Sequence, residues 1–198
     1  ICTSLRTSET EHALKTIIDN WLFAIEERLI SAGSDETKDA SFEAATEKEI
    51  ETALAGISDK NTALAAALRT YYRANNAGDF PIAQAAIGWI SGEPTVGRDF
   101  KQTAGIKGEI DEASAFLFLS GLVEIVHGAG YRGLAIAIDE LETTQGLQRN
   151  QRERSYQTLA RIIDALDGGR MPRCYFLFTG TPAFFDSSRG IRSVTPLY

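Results

Sequence analysis

Two short apolar runs separated by one amphipathic helix constrain this chain most. Leu134-Ala135-Ile136-Ala137-Ile138 and Cys174-Tyr175-Phe176-Leu177-Phe178 are each five residues long, short and β-branched or aromatic enough to be strands buried on both faces. Between them, Gln151 to Leu166 places Tyr156, Leu159, Ile163 and Leu166 on one helical face, and Gly168-Gly169 ends the helix. Strand, helix, strand at these lengths is a βαβ unit and requires a parallel sheet, so the expected fold class is α/β.

Upstream the periodicity is helical. Leu14, Ile17, Ile18, Trp21, Leu22, Ile25 and Leu29 form one apolar face of a helix starting near Glu9, with Ser8 and Glu11 spaced as a capping box. Residues 1–6 read as a short strand and Ser31–Ala40 as a polar loop. Two Ala-rich helices follow, Phe42–Ile57 and Asn61–Asn75. Gly78 breaks the second, and Asp79 caps a further helix that tolerates Pro81 in its first turn. Gly92–Gly108 reads as a loop with a marginal helical turn, and Asp111 to Val126 as an apolar helix closing at Gly128 or Gly130. Trp21, Trp89, Tyr71 and Tyr72 fall on apolar faces, which points to core packing rather than base stacking.

Composition excludes several classes. With 43% hydrophobic residues over 198 positions the chain can bury a core, yet no run approaches the roughly 18 apolar residues of a membrane helix. A cytoplasmic location without membrane contact is expected. Cys2 and Cys174 have no metal-ligand or CxxC spacing and are read as reduced and structural. The net charge of −7 argues against a surface wholly devoted to nucleic acid, but eight arginines face four acids between Arg149 and Arg192. That cationic quarter serves either solvated helix faces or an anion.

The chemistry-bearing pattern is LAIAIDE. An open parallel sheet places its ligands at the carboxyl ends of its strands, where Asp139 and Glu140 stand. Asp139 could bind Mg2+ through an ordered water, and Glu140 could orient or deprotonate an attacking water. The second strand ends in Thr179-Gly180-Thr181-Pro182 at the same edge, which would bring the Thr179 hydroxyl close to Asp139. The plain alternatives are that the acids cap the following helix and that the Thr-Gly-Thr-Pro sequence is a turn.

GYRGLAIAIDELE, the RERSYQTLARIID helix and YFLFTGTPAFFDSSRGIRS together resemble the ATP-binding proteins of bacterial BREX-type phage-defence systems, members of the AAA+-like P-loop class. The resemblance runs well from Gly130 to Tyr198 and more loosely upstream. It implies a Walker B role for Asp139 and Glu140, with Asp139 on the metal, and a sensor role for Thr179. It also makes Arg189 and Arg192 candidates for contact with nucleotide, in their own or a neighbouring subunit. One part of the pattern is missing: no G-x-x-x-x-G-K-[ST] occurs, and Gly105-Ile106-Lys107-Gly108 is no substitute.

The resulting expectation is a partial P-loop NTPase parallel sheet with a large all-helical insertion. Residues 1–198 would be a fragment of one ATPase domain, with 1–30 and 130–198 as its α/β core and 31–129 as the insertion or subdomain. ATP and Mg2+ would be cofactors of the complete protein, whose phosphate loop either lies before Ile1, the simpler explanation, or has been lost, and the isolated fragment would bind ATP weakly or not at all. The Cys174–Phe178 strand would then carry an edge covered by a neighbouring copy, by residual sequence or by nothing. Other subunits of a defence complex are the expected partners, with self-association and DNA as further candidates. The rival class is a non-catalytic interaction module that keeps the ATPase fold. A helical DNA reader is a third reading, disfavoured because Ala-rich acidic helices suit a DNA groove poorly.

Overall fold

The computed structural model describes residues 7–32, 40–93, 95–107 and 114–193. The strand expected over residues 1–6, most of the Ser31–Ala40 loop and the start of the helix expected at Asp111 lie outside them. The chain divides into two compact units, residues 1–132 and 133–198.

The first unit is helical: α1 (Thr7–Ser31), α2 (Ala40–Ser58), α3 (Thr62–Ala77), α4 (Phe80–Ile90), α5 (Arg98–Ala104) and α6 (Ala115–Gly128). Helix α1 is already helical at Thr7, so Ser8 lies inside it rather than ahead of it as a cap. Its apolar face holds as expected: Ile18, Trp21 and Ile25 are buried. These side chains join one core with Leu54 of α2, Leu64, Leu68 and Tyr71 of α3, Ile87 and Trp89 of α4, Phe100 of α5 and Ile125 of α6. Grouping residues 1–30 with the α/β core does not describe this packing, because α1 contacts α2, α4 and α6. Burying an aliphatic or aromatic side chain of this kind contributes about 1.5–3 kcal/mol, enough to dominate the local propensities.

Local signals set the helix boundaries. Asn61, at φ −151, accepts the Leu64 N–H at 2.9 Å and opens α3. Asp79 accepts the Ile82 N–H and opens α4 with Pro81 in the first turn. On the α2–α3 seam the Arg69 guanidinium forks onto both Glu51 oxygens at 2.6 Å, which holds the Glu51 carboxyl below its ordinary range.

The second unit is built on β1 (Leu134–Ile138), α7 (Arg149–Asp167) and β2 (Cys174–Phe178). The strands run parallel in the register Leu134↔Cys174 to Ile138↔Phe178, so the βαβ expectation holds. Among the described residues β2 pairs with β1 and no other strand. Burial on both faces does not hold. Exposure alternates along each strand, and Tyr175 and Leu177 are 66% and 48% exposed. A side-chain period of two sends Ile136, Ile138, Phe176 and Phe178 to one face, where Phe178 packs with Tyr156 and Leu159 of α7. Ala135, Ala137, Tyr175 and Leu177 face the other way, and a single crossover helix can cover only one side. A five-residue helix, α8 (Pro182–Asp186), follows β2 and adds Phe184 to the covered face.

Candidate functional site at the carboxyl edge of the sheet

The two strand ends are joined by backbone and side chain together. Thr179 N donates to Ile138 O at 3.1 Å and Leu141 N to Thr179 O at 3.1 Å, extending the ladder past both strands. The Thr179 hydroxyl donates to Asp139 Oδ1, as its position at the strand end implied. The same oxygen accepts the Glu140 N–H at 2.9 Å. Thr179 first, and Glu140 N–H second, hold the Asp139 carboxyl below the ordinary carboxylate range, so it is an anion at neutral pH. Asp139 and Glu140 are both exposed.

Glu140 leaves the extended track. Its φ of 55 and ψ of 49 lie in the left-handed region, which costs a non-glycine residue about 1–2 kcal/mol. The reversal turns the chain from β1 into a 3-10 turn over Leu141–Gly146. The acids do not cap that turn, since Glu140 precedes it without a side-chain cap bond and Asp139 bonds its own neighbour's N–H. Likewise Thr179 spends its hydroxyl on Asp139 rather than on a turn.

Sequence reasoning missed the residues that brace this edge. Glu142 Oε2 accepts the Thr181 N–H at 3.1 Å, Gln145 Nε2 donates to Ala183 O at 2.8 Å, and the Tyr156 hydroxyl donates to Arg189 O at 2.8 Å. Glu142 was visible as the third acid of the Ile-Asp-Glu-Leu-Glu run, whereas Tyr156 read only as part of the apolar face of α7. Glycine is required twice in this unit, at the amino ends of the strands and after α8. A Cβ on Gly133 would lie 2.4 Å from Arg173 O, and one on Gly190 would lie 2.0 Å from Phe184 O.

The arginine candidates lie on the segment after α8. Arg192 pairs with Asp186 at 3.3 Å, and Arg189 contributes its carbonyl to Tyr156. Arg192 thus pairs with the end of α8, and Arg189 is bound through its carbonyl to α7. Cys174 is a free thiol pushed up by burial, consistent with a structural residue.

A divalent cation fits the Asp139 side of this arrangement. Oδ1 is engaged by two donors while Oδ2 enters no described bond, so an ionised oxygen is oriented and open. Among the described residues no group of three or more His, Cys, Asp or Glu side chains could hold a metal. An ion here would rest on one carboxylate and complete its shell with water and phosphate oxygens, the manner that suits Mg2+.

The model of the BREX system ATP-binding protein BrxC/D family matches residues 1–198. The chain belongs to that family. The match runs through both units, including the helical residues where the resemblance was loose. The family is one of ATP-binding proteins of BREX systems. No curated protein and no solved structure matches the chain. No helix among the described residues is long and apolar enough to cross a membrane.

Proposed function

We propose that this member of the BrxC/D family carries the hydrolysis edge of a P-loop, AAA+-like ATPase, with Asp139 and Glu140 as its Walker B pair and Thr179 as its sensor. The bond from Thr179 to Asp139 Oδ1 at the carboxyl edge of parallel strands is the observation that carries this reading. Asp139, ionised and oriented, is the residue that would hold Mg2+. Glu140, displaced from the strand by its left-handed backbone, orients or deprotonates the attacking water. The Thr179 hydroxyl, its proton on Asp139, accepts from the water, or turns that proton from Asp139 to the terminal phosphate and so reports its presence. Arg189 and Arg192 neutralise phosphate charge, in their own subunit or a neighbour's. Bound Mg2+ would supply charge neutralisation on the transferring phosphoryl group.

No G-x-x-x-x-G-K-[ST] occurs in these 198 residues, so on this reading the phosphates are not held by such a loop within them. The same fact supports the second reading, a non-catalytic interaction module that retains the ATPase fold. Other subunits of the BREX assembly are the partners in either case.

The deciding experiment uses the protein that contains this chain. Glu140→Gln is expected to abolish ATP turnover while ATP still binds. Unchanged hydrolysis removes Glu140 from the mechanism, and a wild-type protein that binds no ATP favours the interaction module.

A further inference from the structure

The turn that leaves the acidic pair and the segment that carries the arginines are tied to the same side chains. Tyr156 is 1% exposed in the middle of α7, and its ring meets the edge of Phe184 at a centroid distance of 5.8 Å and an angle of 74°. A phenylalanine would fill that space equally well, but a buried hydroxyl is costly unless it is bonded. Its proton goes to Arg189 O at 2.8 Å. On its other side lies the Thr144 hydroxyl at 3.4 Å, a weaker contact because the Thr144 proton is committed to Leu141 O at 2.6 Å. Thr144 belongs to the turn that follows Glu140, and Arg189 follows α8. Glu142 and Gln145 of the same turn reach Thr181 N and Ala183 O, at the start of α8. The α8 end has little slack, since Gly190 passes within backbone contact of Phe184.

We propose that Tyr156 is a positioning residue that holds the Arg189 backbone in register with the 141–146 turn, with Glu142 as a second tie through Thr181, so that the acidic pair and the arginine segment move as one body. Its consequence for turnover rests on the nucleotide reading of Arg189, whereas the tie itself does not. A shift of the turn when ligand reaches Asp139 and Glu140 is thereby passed to Arg189.

The test uses Tyr156→Phe and, as a second variant, Glu142→Met in the protein that contains this chain, read by hydrogen exchange without nucleotide. The reporters are the amides of Phe184, Ser187 and Gly190, which donate to Thr181 O, Ala183 O and Ser187 O. Tyr156→Phe should speed their exchange about fivefold, the equivalent of one neutral hydrogen bond, and leave β1 and β2 unchanged. Glu142→Met, which removes the acceptor for Thr181 N, should loosen Phe184 more than Gly190. Unchanged exchange in both variants, or a uniform rise across the whole unit, overturns the proposal. In turnover assays the effect of Tyr156→Phe on kcat should disappear in an Arg189→Ala background, with KM for ATP unmoved; losses that multiply overturn action through Arg189. If Arg189→Ala alone changes neither turnover nor ATP binding, the nucleotide reading of Arg189 fails while the exchange result still decides the tie.

Discussion

Thr179 donates its hydroxyl to Asp139 Oδ1, joining the ends of two parallel strands 40 positions apart in sequence. The bond favours the ionised carboxylate, and the sign of its pH dependence follows. A carboxyl whose folded value is depressed gains from folding above its ordinary value of about 3.9, and loses that gain as pH falls through the depressed value. In a carboxyl-carbon NMR titration Asp139 should therefore titrate below 3.9 in the native protein. Thr179→Val should move its midpoint up. Equal midpoints in the two proteins would show that the hydroxyl does not hold the carboxylate.

Glu140 trades stability for placement. Its left-handed backbone predicts that Glu140→Gly is more stable than Glu140→Ala by about 1 kcal/mol in urea denaturation, because only glycine relieves the steric cost at φ 55. Both variants should lose ATP turnover. Alanine as stable as glycine would mean that the reversal is not strained.

The two close-approach glycines should be intolerant of a methyl group. Gly133→Ala and Gly190→Ala are each expected to cost about 1–3 kcal/mol, since the opposing atoms are backbone carbonyls that cannot swing away. Gly146→Ala is the control, with nothing within 4 Å of its added Cβ. Thermal midpoints of the three variants decide the matter: equal values would remove the steric requirement.

Tyr71 gives the helical unit a marker at alkaline pH. Burial first, then the hydrogen bond it donates to Asp19 at 2.5 Å, pushes its hydroxyl up to about 12, against the opposing pull of Lys15. A raised value means that its contribution to stability is complete below about pH 10 and is lost as pH rises to about 12. Burial raises Tyr72 as well, so among the six tyrosines Tyr71→Phe should remove only the part of an ultraviolet titration that lies near pH 12. An unchanged amplitude near pH 12 in the variant would assign it elsewhere.

Periodicity alone located much of the architecture. The expected strands 134–138 and 174–178 match β1 and β2, and the expected helices near 42–57, 61–75 and 151–166 match α2, α3 and α7 within two or three residues at each end. These segments are legible because their signals are local: an apolar stripe, an Asn or Asp cap, a terminating glycine. The same locality explains Asp139, Glu140 and Thr179. A parallel pair in register must bring both strand ends to one edge, so their proximity follows once the βαβ unit is recognised. Where the signal was not local, the reading failed. A continuous apolar run does not say how many of its faces are covered, and Tyr175 and Leu177 are exposed because one helix covers one side of a two-stranded sheet.

By itself, then, the sequence determined the helical stretch, the parallel βαβ unit and the acidic edge, because spacing and side-chain chemistry dictate each within a few dozen residues. Only the tertiary structure decided that α1 packs into the helical core, that Glu140 turns left-handed, and that Tyr156, Glu142 and Gly190 brace the arginine segment. Those outcomes depend on which distant backbone groups meet a side chain, and spacing along the chain carries no record of such meetings.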